Sequence, residues 1–328
     1  MSGESVRVLR PSALNGDWLR PLGDTGLVVS AIGAGGSPLG SVPANFGRDV
    51  DANEAVATVL RILAGPITFL DTSNGYSGGE SERRIGAALA EAGGLPAGFV
   101  LATKVDPGED GSFGAARVRQ SLEESLQRLG LDRIQLLFLH DPEFAVTFDE
   151  AMASEGAVPE LVRIKDEGLA GVIGVAGGAS AMMRRFVETG DFDVLLTHSR
   201  YSLVDRSADE TITRAQERGV AVVNAAVLGG GILAVGTSRS TRYAYREASQ
   251  NTLTAIAAIE GVCRAHDVPL AAAAMKFSRR DERVSSTLVG FSRPERVDET
   301  VRLAQWPIPD ELWSEVERHV PAPDNWVW

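Results

Sequence analysis

Short, almost continuously apolar runs alternate with amphipathic stretches along nearly the whole chain, and this alternation limits what it can fold into. Runs rich in Val, Ile and Leu occur at 28–33, 67–72, 99–104, 134–140, 171–175, 194–197, 221–226 and 286–290. Each has the length of a strand and lacks the polar alternation of a half-exposed sheet, as expected for strands covered on both faces. Between them, apolar residues recur at helical spacing over 54–64, 81–92, 114–129, 157–167, 179–189, 207–218, 253–266, 270–279 and 294–303.

Eight such alternations without a break in composition predict an α/β fold, a single closed (β/α)8 TIM barrel. A doubly wound open sheet is the other architecture built this way. It would place a dinucleotide fingerprint after the first strand. The segment Ile32-Gly-Ala-Gly-Gly-Ser-Pro-Leu-Gly40 lacks the glycine spacing running into a helix, and no acidic strand end follows at the right distance. Residues 1–20 read as an N-terminal arm, 21–320 as the barrel and 321–328 as a C-terminal tail that packs on the barrel or folds over its mouth. Residues 37–52 and 228–250 read as long loops on the C-terminal face, where loops shape a substrate site.

In a parallel barrel, chemistry sits at the C-terminal ends of the strands. Four residues fall there: Asp71, Tyr76, Lys104 and His140. A free phenol has a pKa near 10, too high to trade protons easily at neutral pH, and a nearby ammonium lowers it. Lys104 can supply that charge, Asp71 can hold Lys104, and His140 can orient the reacting oxygen. Tyr76 is then a general acid for carbonyl reduction or a general base for alcohol oxidation. Hydride must come from a cofactor, because no side chain supplies it.

Competing chemistries find less support. The histidines, His140, His198, His266 and His319, are scattered, no metal-ligand spacing appears, and no metal is expected. Neither a Gly-x-Ser-x-Gly elbow nor a Walker loop is present. A glycoside hydrolase needs paired carboxylates at strand ends; Asp71 and Asp141 are the tempting pair. A net charge of −12 argues against a nucleic-acid surface. No apolar run suggests a membrane span and no leader pattern opens the chain, so the expectation is cytoplasmic. The lone Cys263 excludes an intrachain disulfide and reads as a small buried apolar residue on a helix.

The segment Asp71-x-x-x-x-Tyr76 followed by Gly79-x-Ser81-Glu82, with the Thr103-Lys104 and Leu139-His140 strand ends, resembles the aldo-keto reductases from about Arg20 to Pro321. The resemblance implies a barrel that binds NAD(P) without a Rossmann domain, with Asp71, Tyr76, Lys104 and His140 as the catalytic tetrad. It also implies cofactor contacts from Gly35, Gly36 and Asp71, from His198, Ser199 and Tyr201, and from Val227, Leu228, Gly229 and Gly230. The eighth strand end would add Gly290, Phe291, Ser292, Arg296, Glu299 and Thr300. Several positions depart from the family pattern. Gly290 stands where NADP-specific members carry Lys, so NAD is favoured over NADP unless Arg293 or Arg296 compensates. Ala176 and Gly177 replace the usual Ser-Asn, His198 a Gln, and Ala225 an aromatic.

Residues 32–36, 174–177, 199–205 and 224–228 are similar to the family's sugar dehydrogenases. That branch implies oxidation of a cyclic sugar hemiacetal, an aldose such as L-fucose or D-arabinose, to its lactone. Pyridoxal, which also forms a cyclic hemiacetal, is the alternative substrate. General carbonyl reduction and a non-catalytic NAD(P)-binding partner subunit are further readings. Candidate substrate contacts are Ser37, Phe46, Tyr76 and His140.

Overall fold

The computed structural model describes residues 16–326. Eight parallel strands close a barrel: β1 (Ile32–Gly35), β2 (Phe69–Asp71), β3 (Val100–Val105), β4 (Ile134–His140), β5 (Ala170–Gly177), β6 (Val194–His198), β7 (Ala221–Ala225) and β8 (Val284–Gly290). Each strand pairs with the next, and β8 pairs with both β7 and β1. The expected TIM barrel is therefore the fold. Helices lie between the strands, and none among the described residues is long and apolar enough to cross a membrane.

The continuously apolar runs divide by strand parity into two separate cores. Phe69, Val100, Ala102, Leu136, Phe138, Val172, Val194, Leu196, Val223 and Leu288 fill the barrel interior. Their neighbours Leu70, Leu101, Leu137, Leu139, Ile173, Leu195, Val222 and Val289 face the helices. Successive strand residues point to opposite faces. The next inward position towards the C-terminal face is thus Asp71 on β2, Lys104 on β3, His140 on β4, His198 on β6, Ala225 on β7 and Gly290 on β8. On β5, Ala176 already belongs to the inner core.

The first apolar run behaves differently from the expected single strand. Val28–Ser30 pairs antiparallel with Leu19–Pro21, and only Ile32–Gly35 joins the barrel. Ser30 makes the break: its hydroxyl donates to Ile32 O at 2.7 Å and accepts from Thr68 N at 3.0 Å. The hairpin brings Leu22 and Val29 into the inner core and closes the N-terminal end of the barrel. Trp18 is buried beside it, its indole N–H donating to Pro66 O. Residues 1–15 of the expected arm lie outside the described residues.

Short elements without clear periodicity escaped the sequence reading. Helix Phe148–Met152 starts at a Thr147–Glu150 capping box, and Glu311–Glu317 forms a further short helix. The 228–250 segment holds the turn Gly229–Gly231, helix Ile232–Val235 and a small hairpin, Arg242–Tyr243 with Arg246–Glu247. In the tail, Asn325 Oδ1 accepts from Asn251 Nδ2, tying the turn Pro323–Asn325 to helix Gln250–Ala265; residues 327–328 lie outside the described residues. Cys263 is buried on that helix, and burial pushes its thiol up to about 11, as an apolar core residue requires.

Candidate active site

Three strand ends bring the acid, the amine and the imidazole together, and the loop after β2 adds the phenol. Lys104 is 1% exposed and Asp71 3%. An ammonium has three N–H donors. Lys104 Nζ directs them to Asp71 Oδ2 at 2.7 Å, Thr72 O at 2.6 Å and Tyr76 OH at 3.2 Å. Burial works against the Lys104 ammonium, but Asp71 and Tyr76 outweigh it and hold its pKa above the usual range. Burial pushes the Asp71 carboxyl up, with Lys104 pulling the other way.

Tyr76 departs from the sequence expectation. Lys104 does pull its pKa down, but burial outweighs that charge and the phenol is pushed well above its ordinary value. The resting site therefore holds a neutral hydroxyl. His140 meets Tyr76 edge to face, with ring centroids 5.5 Å apart.

Tyr76 is placed by the motif that follows it. Ser81 Oγ donates to Gly36 O and lies 2.8 Å from Thr72 Oγ1. The fully buried Glu82 accepts from Thr103 Oγ1 at 2.6 Å and from Arg128 at 3.1 Å. Both side chains pin the start of helix Glu80–Ala92 beneath the Tyr76 loop.

Asp106 is a residue the sequence reading missed. Its Oδ1 lies 2.6 Å from His140 Nδ1, while Oδ2 accepts from Gly75 N and from Ser73 Oγ. Its inward parity, two residues beyond Lys104, was the available signal. Burial opposes its charge, but His140 overrides this and holds the carboxyl below the usual range. Asp141 accepts from His198 Nε2 at 3.0 Å and is held at about 2 by His198 and His140 against the opposing effect of burial. Although no ligand spacing is visible in the sequence, the fold gathers Asp141, Glu143 and His198 within 4.8 Å. Glu143 Oε1 is already engaged by Gly178 N and Ala179 N, and the group reads as a hydrogen-bonded cluster.

On the opposite rim the expected cofactor positions divide. Gly35 pairs with both Asp71 and Gly290, so all three lie together. Gly36 N donates to Asp71 O at 2.7 Å. Ser37 opens the turn Ser37–Gly40, whose Pro38 lies so close to Gly290 that a Cβ there would meet Pro38 Cγ at 3.0 Å. His198 stands at the rim on Asp141, and Ser199, buried, follows with φ +61°. Tyr201 does not face the mouth: its hydroxyl donates to Asp281 at 2.6 Å and its ring packs 5.0 Å from Phe277, in the outer layer. Val227 and Phe291 are buried in the outer core, and Leu228 packs against it. Gly229 and Gly230 have φ of +60° and +76°. Arg48 approaches Ser292 O at 3.4 Å, Arg296 pairs with Glu299, and Thr300 is buried on helix Glu295–Ala304. Phe46 meets Tyr245 edge to face at 5.8 Å, bridging the loops after β1 and β7.

The family model described as "Aldo/keto reductase family" matches residues 31–321. The chain belongs to the aldo/keto reductase family. Aldo/keto reductases similar to it include the D-threo-aldose 1-dehydrogenase of a Pseudomonas species, 32% identical over 91% of this chain and 97% of the relative. The L-galactose dehydrogenase of Arabidopsis thaliana is 33% identical over 94% and 96%. The pyridoxal 4-dehydrogenase of Microbacterium luteolum is 31% identical over 90% and 95%. Among solved structures, the holo form of an aldo-keto reductase from Bacillus halodurans has a TM-score of 0.75 at 24% identity, covering 92% of this chain and 96% of its own. With this family and these relatives, the chain is an NAD(P)-dependent oxidoreductase.

The aldo/keto reductase barrel offers groups that suit such a cofactor. Asp71 Oδ1 and Glu143 Oε2 are buried acceptors without a partner among the described residues. The Arg293 side chain, exposed beyond β8, makes no hydrogen bond or ion pair among the described residues and could reach a phosphate.

Proposed function

We propose that this oxidoreductase oxidises the anomeric carbon of a cyclic sugar hemiacetal, an aldose such as L-fucose or D-arabinose, to the lactone. Asp71, Tyr76, Lys104 and His140 form its proton-transfer site, and NAD is preferred to NADP. The observation that carries this reading is the Lys104 ammonium, whose three donors are committed to Asp71, Thr72 O and Tyr76 OH. The names of the sugar-dehydrogenase relatives supply the substrate class.

A bound nicotinamide would supply the hydride acceptor. The phenolate form of Tyr76, which the adjacent Lys104 ammonium stabilises, accepts the hydroxyl proton as the carbonyl forms and becomes the neutral phenol. Asp71 keeps that ammonium charged and fixed. His140 holds the reacting oxygen. Asp141, ionised and partly open at the rim, offers an acceptor for the hydroxyls of a polyol. Because burial raises the Tyr76 pKa, the base form grows with pH, and oxidation should speed up towards alkaline pH. Gly290 brings no charge to the 2′-phosphate position, a Cβ there would crowd Pro38 at 3.0 Å, and Arg296 is held by Glu299, which supports NAD.

Nicotinamide absorbance tests this with NAD and NADP in parallel against L-fucose, D-arabinose, L-galactose, L-glucose and pyridoxal. Turnover of an aldose, lost in Tyr76→Phe, is the expected result. Turnover of pyridoxal alone, or reduction of simple aldehydes without sugar oxidation, would overturn the sugar assignment. Cofactor binding without turnover in either direction would make the chain a binding subunit.

A further inference from the structure

Asp106 continues the inward parity of Ala102 and Lys104 and sits where β3, β4 and the Tyr76 loop meet. Its carboxylate gathers three donors from two elements: His140 Nδ1 at 2.6 Å, Gly75 N at 2.7 Å and Ser73 Oγ. Its backbone is equally fixed. Its N–H donates to Ser121 Oγ at 3.1 Å, and its carbonyl accepts from Arg117 Nε at 3.0 Å, both on helix Ala115–Leu129. An ionised carboxylate only accepts hydrogen bonds, so the hydrogen on this contact belongs to His140 Nδ1. The other ring nitrogen, Nε2, has Asp141 Oδ2 at 3.7 Å, beyond hydrogen-bond length, and the ring lies beside Tyr76.

We propose that Asp106 is a positioning residue, which holds the Nδ1 proton of His140 and presents a protonated Nε2, beside the Tyr76 hydroxyl, to the reacting oxygen of the substrate. This rests on the reading of Tyr76 and His140 given above and deepens it. In carbonyl reduction, hydride reaches the carbon, the oxygen becomes an alkoxide, and Tyr76 gives up its proton to it. His140 keeps both of its protons and stabilises the alkoxide through Nε2–H. Oxidation runs the same steps in reverse. The Asp106 carboxylate also ties down Ser73 and Gly75, so one acid sets the phenol loop and the imidazole relative to each other.

The charges facing His140 come from several elements. Asp106 and Lys104 lie on β3 and just beyond it, Asp71 and Tyr76 on β2 and its loop, and Asp141 on the end of its own strand. Burial lowers the imidazole pKa, but the Asp106 charge and hydrogen bond, with Asp141, more than reverse this. Of these charged groups, only Asp106 contacts the ring within hydrogen-bond distance; the Ser73 hydroxyl, itself donating to Asp106, lies 2.9 Å from the same Nδ1.

The test is a histidine-labelled NMR titration without substrate, with the His140 signal identified by its loss in His140→Gln. Asp106→Asn keeps the side-chain shape and one acceptor oxygen but removes the charge. The His140 midpoint should fall by about one pH unit or more, and the alkaline limit of kcat for aldehyde reduction should move down with it. Cofactor affinity, read by fluorescence quenching, should stay within about twofold, because Asp106 acts through His140. An unchanged midpoint would overturn the proposal. A measurement on the parent protein does not depend on Asp106→Asn folding: above its midpoint, His140 should keep its proton on Nδ1, and an Nε2–H tautomer would equally overturn the proposal. Turnover surviving in Tyr76→Phe would instead defeat the underlying reading of the site, which this titration does not depend on.

Discussion

The two sides of the barrel mouth are built on opposite plans. On β2, β3 and β4, the uppermost inward residues are Asp71, Lys104 and His140; Lys104 bonds Asp71 and Tyr76, His140 bonds Ser73 and Asp106, at 2.6–3.2 Å, and the two sets meet where the Tyr76 and His140 rings touch. On β7, β8 and β1 they are Ala225, Gly290 and Gly35. One side carries charges that must be held in place. The other offers backbone and small side chains, which suits a large planar ligand whose chemistry is its own. Buried charge on the first side makes it intolerant of change; the second side depends on chain conformation and should fail more gently.

The largest effect should come from breaking the charged side at its centre. Lys104→Met removes the partner of a buried carboxylate, which typically costs about 3–5 kcal/mol, and should cut kcat by roughly 10²–10⁴-fold. Without Lys104, the Asp71 carboxyl is pushed still higher by burial. Its folded pKa then exceeds the unfolded value, so the folded state binds the extra proton and stability falls as pH rises through that range. Urea titrations should therefore find the variant more stable at pH 5 than at pH 8.

A backbone change on the open side should cost less. Gly229 has φ +60°, and a Cβ there would meet the Tyr243 ring at 2.5 Å. Gly229→Ala should lower stability by about 1–3 kcal/mol, seen in thermal unfolding, and weaken cofactor binding, while kcat at saturating cofactor changes little. The smallest effect belongs to Arg293→Ala. An exposed guanidinium contributes about 1 kcal/mol or less, so fluorescence titration should show cofactor affinity reduced several-fold, more at low salt than at high. A loss of kcat as large as that of Lys104→Met in either open-side variant would erase the contrast.

The same contrast explains what could be read from the sequence. The barrel was legible because eight apolar runs are long enough to reveal strands buried on both faces. Asp71, Tyr76, Lys104 and His140 were legible because chemically distinctive side chains end those runs. Asp106 stayed hidden because it lies past the apolar run, in a polar loop where acids are common. Tyr201 was misread because an aromatic beside the rim in sequence turns to Asp281 and Phe277 in space. The 28–33 run concealed a hairpin because Ser30 breaks it with its side chain, a contact to Thr68 that no local pattern encodes. The pKa of Tyr76 was misjudged because sequence shows the neighbouring charge but not the depth of burial.

On the proposed reading, proton transfer belongs to the charged half of this mouth, and most of the cofactor's contacts belong to the other. Tyr76→Phe removes one hydroxyl from the charged half and nothing from the other. Cofactor dissociation constants and single-turnover rates, measured side by side for parent and variant, test the claim most directly. The rate should fall by roughly 10²–10⁴-fold with cofactor affinity unchanged within about twofold. A variant that turns over at the parent rate, or that loses rate only because cofactor no longer binds, would contradict it.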